Sequence, residues 1–276
     1  MLRGILSLQS EVVYGHVGNA AARFALQRLG FEVWSVPTVL YSNHPGHGDF
    51  GGDNVAASEM TRLIDALDRQ GHLARCDAVL TGYARTADQV AVMANAIDTV
   101  KTQNPSAVFA IDPVLGDTDT GAYVPLDVAD TLPKILVPEA DILMPNHFEL
   151  EFLSGQPVTD FASTIAAALP LQSPIVVATS IPHKDKYATI AITDSEAWFV
   201  ETDIVPKAPH GVGDLTSALF LGHQLLGKDI PTSLQKAVSS VYALIKESAD
   251  RSLDELPLIQ HQELIVSCPL LQVQEV

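Results

Sequence analysis

The sequence predicts an α/β protein built on a mostly parallel central sheet, with helices covering both faces. One observation is order: apolar runs of four to seven residues alternate with longer segments of helical periodicity, the pattern of strands joined by crossover helices. The other is composition. Of 276 residues, 47% are hydrophobic and only 18% charged, enough to bury both faces of such a sheet.

Residues 2–8 read as the first strand and 17–29 as a helix stopped by Gly30, glycine being a favoured helix terminator. Residues 31–37 form a second strand, followed by a glycine-rich loop through Gly52. Then come a helix over 56–70, a strand at 78–80, a helix over 87–103, a strand at 107–111, a helix over 126–136 and a short strand at 141–144. Helices over 146–153 and 160–169 precede strands at 175–178, 188–193 and 197–200. Helical segments at 214–226, 231–248 and 253–260 finish the chain. No repeat, low-complexity tract or linker interrupts it, so residues 1–276 are expected to form a single domain.

Composition excludes several classes. No apolar stretch approaches the roughly 20 residues of a membrane span, and the N-terminus lacks a secretory cleavage pattern. Cys76 and Cys268 make no disulfide framework, so a cytoplasmic protein is expected. A formal net charge of −17 argues against nucleic acid, which needs a basic surface. A phosphate-bearing ligand would need backbone amides, a divalent cation and a few local positive groups. His183, Lys184, Lys186 and Lys207 are the local candidates.

Ligands of open α/β sheets bind beyond the carboxyl ends of the strands. Ser10, Ser42-Asn43-His44, Thr81-Gly82-Tyr83, Asp112-Pro113, Pro145-Asn146 and Thr179-Ser180 follow successive strands and converge on one edge if the topology is right. Near the C-terminus, His210-Gly211-Val212-Gly213-Asp214 opens a helix. Two glycines permit close ligand approach, and N–H groups at a helix start make an anion site. Asp214 would stand where a phosphoryl group arrives, as base for an attacking hydroxyl; on spacing alone it serves equally well as a helix cap. It is not a P-loop, because Lys-Ser/Thr does not follow.

Asn146 and Glu149, three residues apart, share a helix face. They suit Mg²⁺, a hard cation preferring oxygen, and equally an ordinary capping box. Asp112 could reach the same metal or simply start a turn. His16, His44 and His47 lack the companion pair of a zinc set. His44, Phe50 and Tyr83 are better read as surfaces for a flat aromatic ring.

Taken together, Ser7-Leu8-Gln9-Ser10, Val13-Tyr14-Gly15-His16-Val17-Gly18-Asn19, Ser42-Asn43-His44, Thr81-Gly82-Tyr83, Asp112-Pro113-Val114-Leu115-Gly116-Asp117, Pro145-Asn146-His147-Phe148-Glu149 and Gly211–Asp214 resemble the pyridoxal kinases over nearly the whole chain. The Gly-x-Gly-Asp element is shared with the wider ribokinase-like superfamily. The resemblance implies a ribokinase-like three-layer sandwich, a homodimer, and transfer of the ATP γ-phosphoryl to the 5′-hydroxymethyl group of pyridoxal, pyridoxine or pyridoxamine. By the family pattern Asp214 is the base; Ser10, Val17, His44, Pro45, Gly46 and Tyr83 line the vitamin pocket. Asp112, Met144, Asn146, Glu149, Thr179, Thr202, Asp203, Ile204, Val205, Gly211, Val212 and Gly213 fall where the family binds MgATP, with Asp112 and Glu149 nearest the Mg²⁺. Residues 116–123 resemble its flap, which would exclude water.

Four positions depart from the pattern: Pro45 for threonine, Phe50 for tryptophan, Ala122 for the cysteine of some bacterial members, and Met144 for threonine. The last bears on any monovalent-cation site. The rival enzyme reading is a hydroxymethylpyrimidine kinase. A pyridoxal-binding regulatory protein and a dinucleotide-dependent dehydrogenase are weaker: the former needs no base at Asp214, and the latter would need a Gly-x-Gly-x-x-Gly turn.

Overall fold

A computed structural model describes residues 4–276; residues 2 and 3 of the expected first strand lie outside the described part. The chain opens with β1 (Gly4–Val12), α1 (Asn19–Arg28), β2 (Glu32–Tyr41), β3 (Gly52–Asn54) and α2 (Ala57–Arg69). It continues through β4 (Cys76–Thr81), α3 (Ala87–Gln103), β5 (Val108–Ile111), a hairpin of β6 (Gly116–Asp117) and β7 (Gly121–Ala122), α4 (Leu126–Ile135) and β8 (Ile142–Leu143). Next come α5 (His147–Ser154), α6 (Phe161–Ala168), β9 (Ile175–His183), β10 (Lys186–Ile192) and β11 (Ala197–Asp203). The last elements are α7 (Val212–Leu225), α8 (Ile230–Asp250), α9 (Glu263–Val266) and β12 (Val273–Glu275).

Ten strands form one sheet in the order β12-β11-β10-β9-β8-β5-β4-β1-β2-β3. The pairs from β2 through β1, β4, β5 and β8 to β9 are parallel; both flanks are antiparallel. The chain turns from β1 to β2 on one side and builds from β4 outward on the other, so β1 is the topological switch, where a ligand crevice opens.

Side chains divide the layers by the two-residue period of a strand. Leu6 and Leu8 of β1, Val79 of β4, Phe109 and Ile111 of β5, and Val176 and Ala178 of β9 join one apolar cluster with α2 to α6. Ile5, Ala78, Leu80, Ala110 and Val177 point to the other, with α1, α7 and α8. This is the expected three-layer sandwich. The helix carrying the glycine run, α7, is buried from Leu215 to His223, so its first turn is held rigidly at the strand ends.

The structure departs from expectation mainly at element ends. Strands β1, β2, β9 and β11 run three to five residues further. Their extra residues are polar or mixed and are held by ladder hydrogen bonds, which side-chain periodicity does not report. Ser10 therefore lies inside β1, at a register shift between Gln9 and Glu11, rather than after it. Residues 253–260 are not helical: Pro257 lacks an N–H and disfavours helical backbone at Leu256. Leu256 and Leu258 are buried there nonetheless.

One buried group in α7 makes stability pH-dependent. His223 is 6% exposed, and neither ring nitrogen has a hydrogen-bond partner. Burial, then the charges of Lys236 and Lys228, push its pKa down to about 4. Its folded pKa lies below its unfolded value, so stability is lost as pH falls from about 6.5 towards 4. His223→Leu should melt close to the parent at pH 8 and above it at pH 5; an equal offset at both pH values in thermal unfolding would refute this.

Candidate active site

Asp214 stands in the first turn of α7, but it does not cap that helix. The N-cap is Gly211, without a side-chain cap bond. Instead Asp214 Oδ2 accepts a hydrogen bond from the Gly18 N–H at 2.8 Å, across 196 residues of sequence. Gly18 needs to be glycine: its φ is +54°, and a Cβ there would collide with Oγ and the backbone of Ser10. Gly211 has the same requirement, with φ +87° and the His16 carbonyl where its Cβ would be. The β1–α1 loop and the start of α7 are thus packed backbone to backbone. The early N–H groups of α7 have no intrahelical acceptor and form a positive concavity.

Two more carboxylates converge on it. Asp112, directly after β5, is 6% exposed and Glu149 2%. Asp112 Oδ2 accepts from Ser217 Oγ at 2.7 Å, and a Cβ on Gly213 would lie 4.0 Å from that oxygen. Glu149 forms the capping box of α5 with Asn146, so that reading of the pair is correct. It also reaches out: Glu149 Oε1 accepts from the N–H groups of Leu115 at 2.8 Å and Gly116 at 3.4 Å, and Asn146 Nδ2 donates to the Gly116 carbonyl at 2.7 Å. The capping box therefore anchors the β6–β7 flap.

Burial raises all three acids. Asp112 titrates well above the usual carboxylate range because of burial, then the charges of Glu149 and Asp214. Burial pushes Glu149 up to about 7 against the lowering effect of its backbone N–H donors. Asp214 is raised by burial and partly restored by Gly18. Acids forced together this way fit a cation, which restores their ionised forms. Among the described residues no group of three or more His, Cys, Asp or Glu side chains is arranged to hold a metal alone. Mg²⁺ bound through one or two carboxylates plus ligand phosphates needs no such cage.

Around this centre the expected residues fall as follows. His44 caps the turn Pro45–His47, accepting from the Gly46 N–H at 3.0 Å. Its ring stacks on His210, beside Gly211, at 3.8 Å between centroids; Val17 is buried next to the Gly18 turn. Burial, then His210 and His47, lower the His44 pKa to about 4, so its ring is neutral at physiological pH. Tyr83 is half-buried after β4, and Thr38 Oγ1 donates to its carbonyl at 2.6 Å. Phe50 packs on Tyr41 at 4.8 Å and lines an outer cleft of about 480 Å³ with Arg85, Thr86 and Asp127, away from Asp214.

Thr179 sits on the opposite side, bridging Asn146. Met144 is buried in the apolar layer of α7, where its thioether offers no hard oxygen to a monovalent cation. Thr202 and Asp203 end β11, four strand spacings from β5, or roughly 19 Å, with Ile204 and Val205 beyond. Asp203 pairs with Lys186 at 3.4 Å, and Glu201 lies 3.3 Å from His183, so Lys186 of the expected positive cluster already has an acidic partner.

Sequence reasoning missed several contributors. Ser217 is three residues after Asp214, so helical spacing could have found it. Tyr123, at the end of the expected flap segment but given no role there, has its pKa raised by burial and then by the charges of Glu149, Asp112 and Asp214. Glu255, described below, carried no local signal, and His47 was weighed only as a zinc ligand.

Comparison with known proteins agrees with this geometry. A phosphomethylpyrimidine kinase family model matches residues 53–257. A pyridoxal kinase from Corynebacterium diphtheriae is 41% identical over 98% of both chains, and one from Rubrobacter xylanophilus is 40% identical over 96% of this chain and 94% of its own. The solved structure of Leishmania donovani pyridoxal kinase with ADP and pyridoxamine superposes with a TM-score of 0.93 at 27% identity, covering 99% of each chain. From the buried acids at the start of α7 to full-length similarity, these findings agree: the chain belongs to the pyridoxal kinase family.

Proposed function

We propose that this protein transfers the γ-phosphoryl group of ATP to the 5′-hydroxymethyl group of pyridoxal, pyridoxine or pyridoxamine, on a single ribokinase-like domain. The observation that carries the reading is Asp214, a half-buried acid anchored through one oxygen at the start of α7. Oδ1 remains free to accept the proton of the attacking hydroxyl, and its raised pKa brings it closer to working pH, as a general base requires. The N–H groups of Gly211, Val212 and Gly213 receive the transferred group. Ser10, Val17, His44, Pro45, Gly46 and Tyr83 hold the pyridine ring.

On the nucleotide side Asn146, Met144 and Thr179 flank the phosphates, and Thr202, Asp203, Ile204 and Val205 reach the adenosine end. Met144 contributes backbone and apolar bulk. Asp112 and Glu149 would hold Mg²⁺ with the ATP phosphates, where the ion offsets phosphate charge. Phosphoryl transfer depends mainly on positioning and charge stabilisation, and the flap with Tyr123 excludes water.

Other features support a homodimer in the cytoplasm. Val13 (79% exposed), Tyr14 (65%) and Leu40 (50%) form an apolar patch beside β3, which a second copy would cover. Both cysteines are free, as suits a reducing compartment. No helix among the described residues is long and apolar enough to cross a membrane.

The family model's description favours one rival substrate, a hydroxymethylpyrimidine. Purified protein with ATP and Mg²⁺ should phosphorylate pyridoxal more efficiently than the pyrimidine, measured as kcat/KM; turnover of the pyrimidine alone would overturn the proposal. Chelating the divalent cation should abolish turnover. Asp214→Asn should lower kcat by about 10²-fold or more while pyridoxal still binds. Equal kcat in parent and variant would remove Asp214 from the mechanism.

A further inference from the structure

Three segments distant in sequence meet at one carboxylate that the phosphoryl-transfer chemistry does not use. Glu255 Oε2 accepts from the His16 N–H at 2.8 Å. Its other oxygen, Oε1, accepts from His47 Nε2 at 2.7 Å. Gly15 (φ +100°) lets the carboxylate approach, since a Cβ there would fall 2.5 Å from Oε1. The Glu255 and His47 side chains are only 14% and 22% exposed, so water competes poorly for these bonds.

The carboxylate is itself firmly presented. Leu256 and Leu258 on its C-terminal side are fully buried. Ser248 Oγ, in α8, donates to the carbonyls of Leu253 at 3.0 Å and Glu255 at 3.2 Å. An anchored loop thus grips two others: the His16–Gly18 loop, already held on its far side by the Gly18 bond to Asp214, and the 44–48 turn, which has less fixing of its own. The 44–48 turn is mostly exposed, and its further ties are the stacking of His44 on His210 and the short-range bonds of Asn43 to the carbonyls of His44 and Asp49.

We propose that Glu255 is a positioning residue that clasps the His16–Gly18 loop and the His44–His47 turn together, setting the shape of the pyridoxal pocket. The proposal rests on the functional reading above, in which the first loop holds Asp214 through Gly18 and the second carries His44, Pro45 and Gly46. Glu255 touches neither the reacting hydroxyl nor the phosphates; it acts by fixing the backbone that does.

The test uses full-length Glu255→Ala and Glu255→Gln. In the alanine variant, amide hydrogen exchange should accelerate in peptides covering 14–18 and 43–48 but not in β5 or α8. The KM for pyridoxal should rise by about tenfold, or about 1.4 kcal/mol of lost pocket order, while the KM for ATP stays within about twofold. Glutamine keeps an acceptor for His16 and should restore most of the difference. If alanine prevents folding, His47→Phe cuts one arm alone, and exchange should accelerate only over 43–48. Unchanged exchange in both segments overturns the proposal, as does an equal rise in both KM values. If the parent does not phosphorylate pyridoxal, the functional reading fails, and the exchange experiment still decides whether the clasp exists.

Discussion

The hydrogen bond from Gly18 N–H to Asp214 Oδ2 is the contact on which the rest of the site depends. It ties the first crossover loop to the start of α7, nearly the full chain apart, and fixes which oxygen of Asp214 is left free. Its geometry needs two glycines in left-handed backbone, Gly18 and Gly211, each filling space that a side chain would block. Around it the buried Asp112 and Glu149 complete a cluster of acids in a protein already carrying a net charge of −17. Such an arrangement is costly without a partner. Backbone N–H groups and the α7 dipole offset part of it, and in the proposed reading a cation shared with phosphate would offset the rest.

The fold serves that contact. Because α7 is buried on every side between α1, α8 and the sheet, its first turn cannot drift. The topological switch at β1 puts the β1–α1 loop opposite it. The β6–β7 hairpin is held from the same place, because Glu149 and Asn146 both grip Gly116.

Much of this was legible in the sequence, for reasons that differ by residue. The sandwich followed from the alternation of apolar runs with helical periodicity, which long buried elements such as α3 and α7 enforce. Asp214, Gly211 and Gly213 were ambiguous on spacing alone and became legible through the polar groups at the other strand ends and the motifs around them. Asn146 and Glu149 were legible as a pair with two open roles, of which the capping box is present. The short strands β3, β6, β7 and β12 were not legible, since two or three polar residues carry no periodicity and exist only through their partners. Glu255 was silent, and His47 was weighed only for zinc, because their meaning lies wholly in a contact across 208 residues.

The most direct test of the account is the structure of the protein with pyridoxal, Mg²⁺ and a non-hydrolysable ATP analogue. It should show Asp214 Oδ2 still bound to the Gly18 N–H and Oδ1 within about 2.6–3.2 Å of the pyridoxal 5′-hydroxyl, with the γ-phosphoryl group over the start of α7. A hydroxyl bound instead to Asp112 or Glu149, or an Asp214 turned away from Gly18, would contradict it.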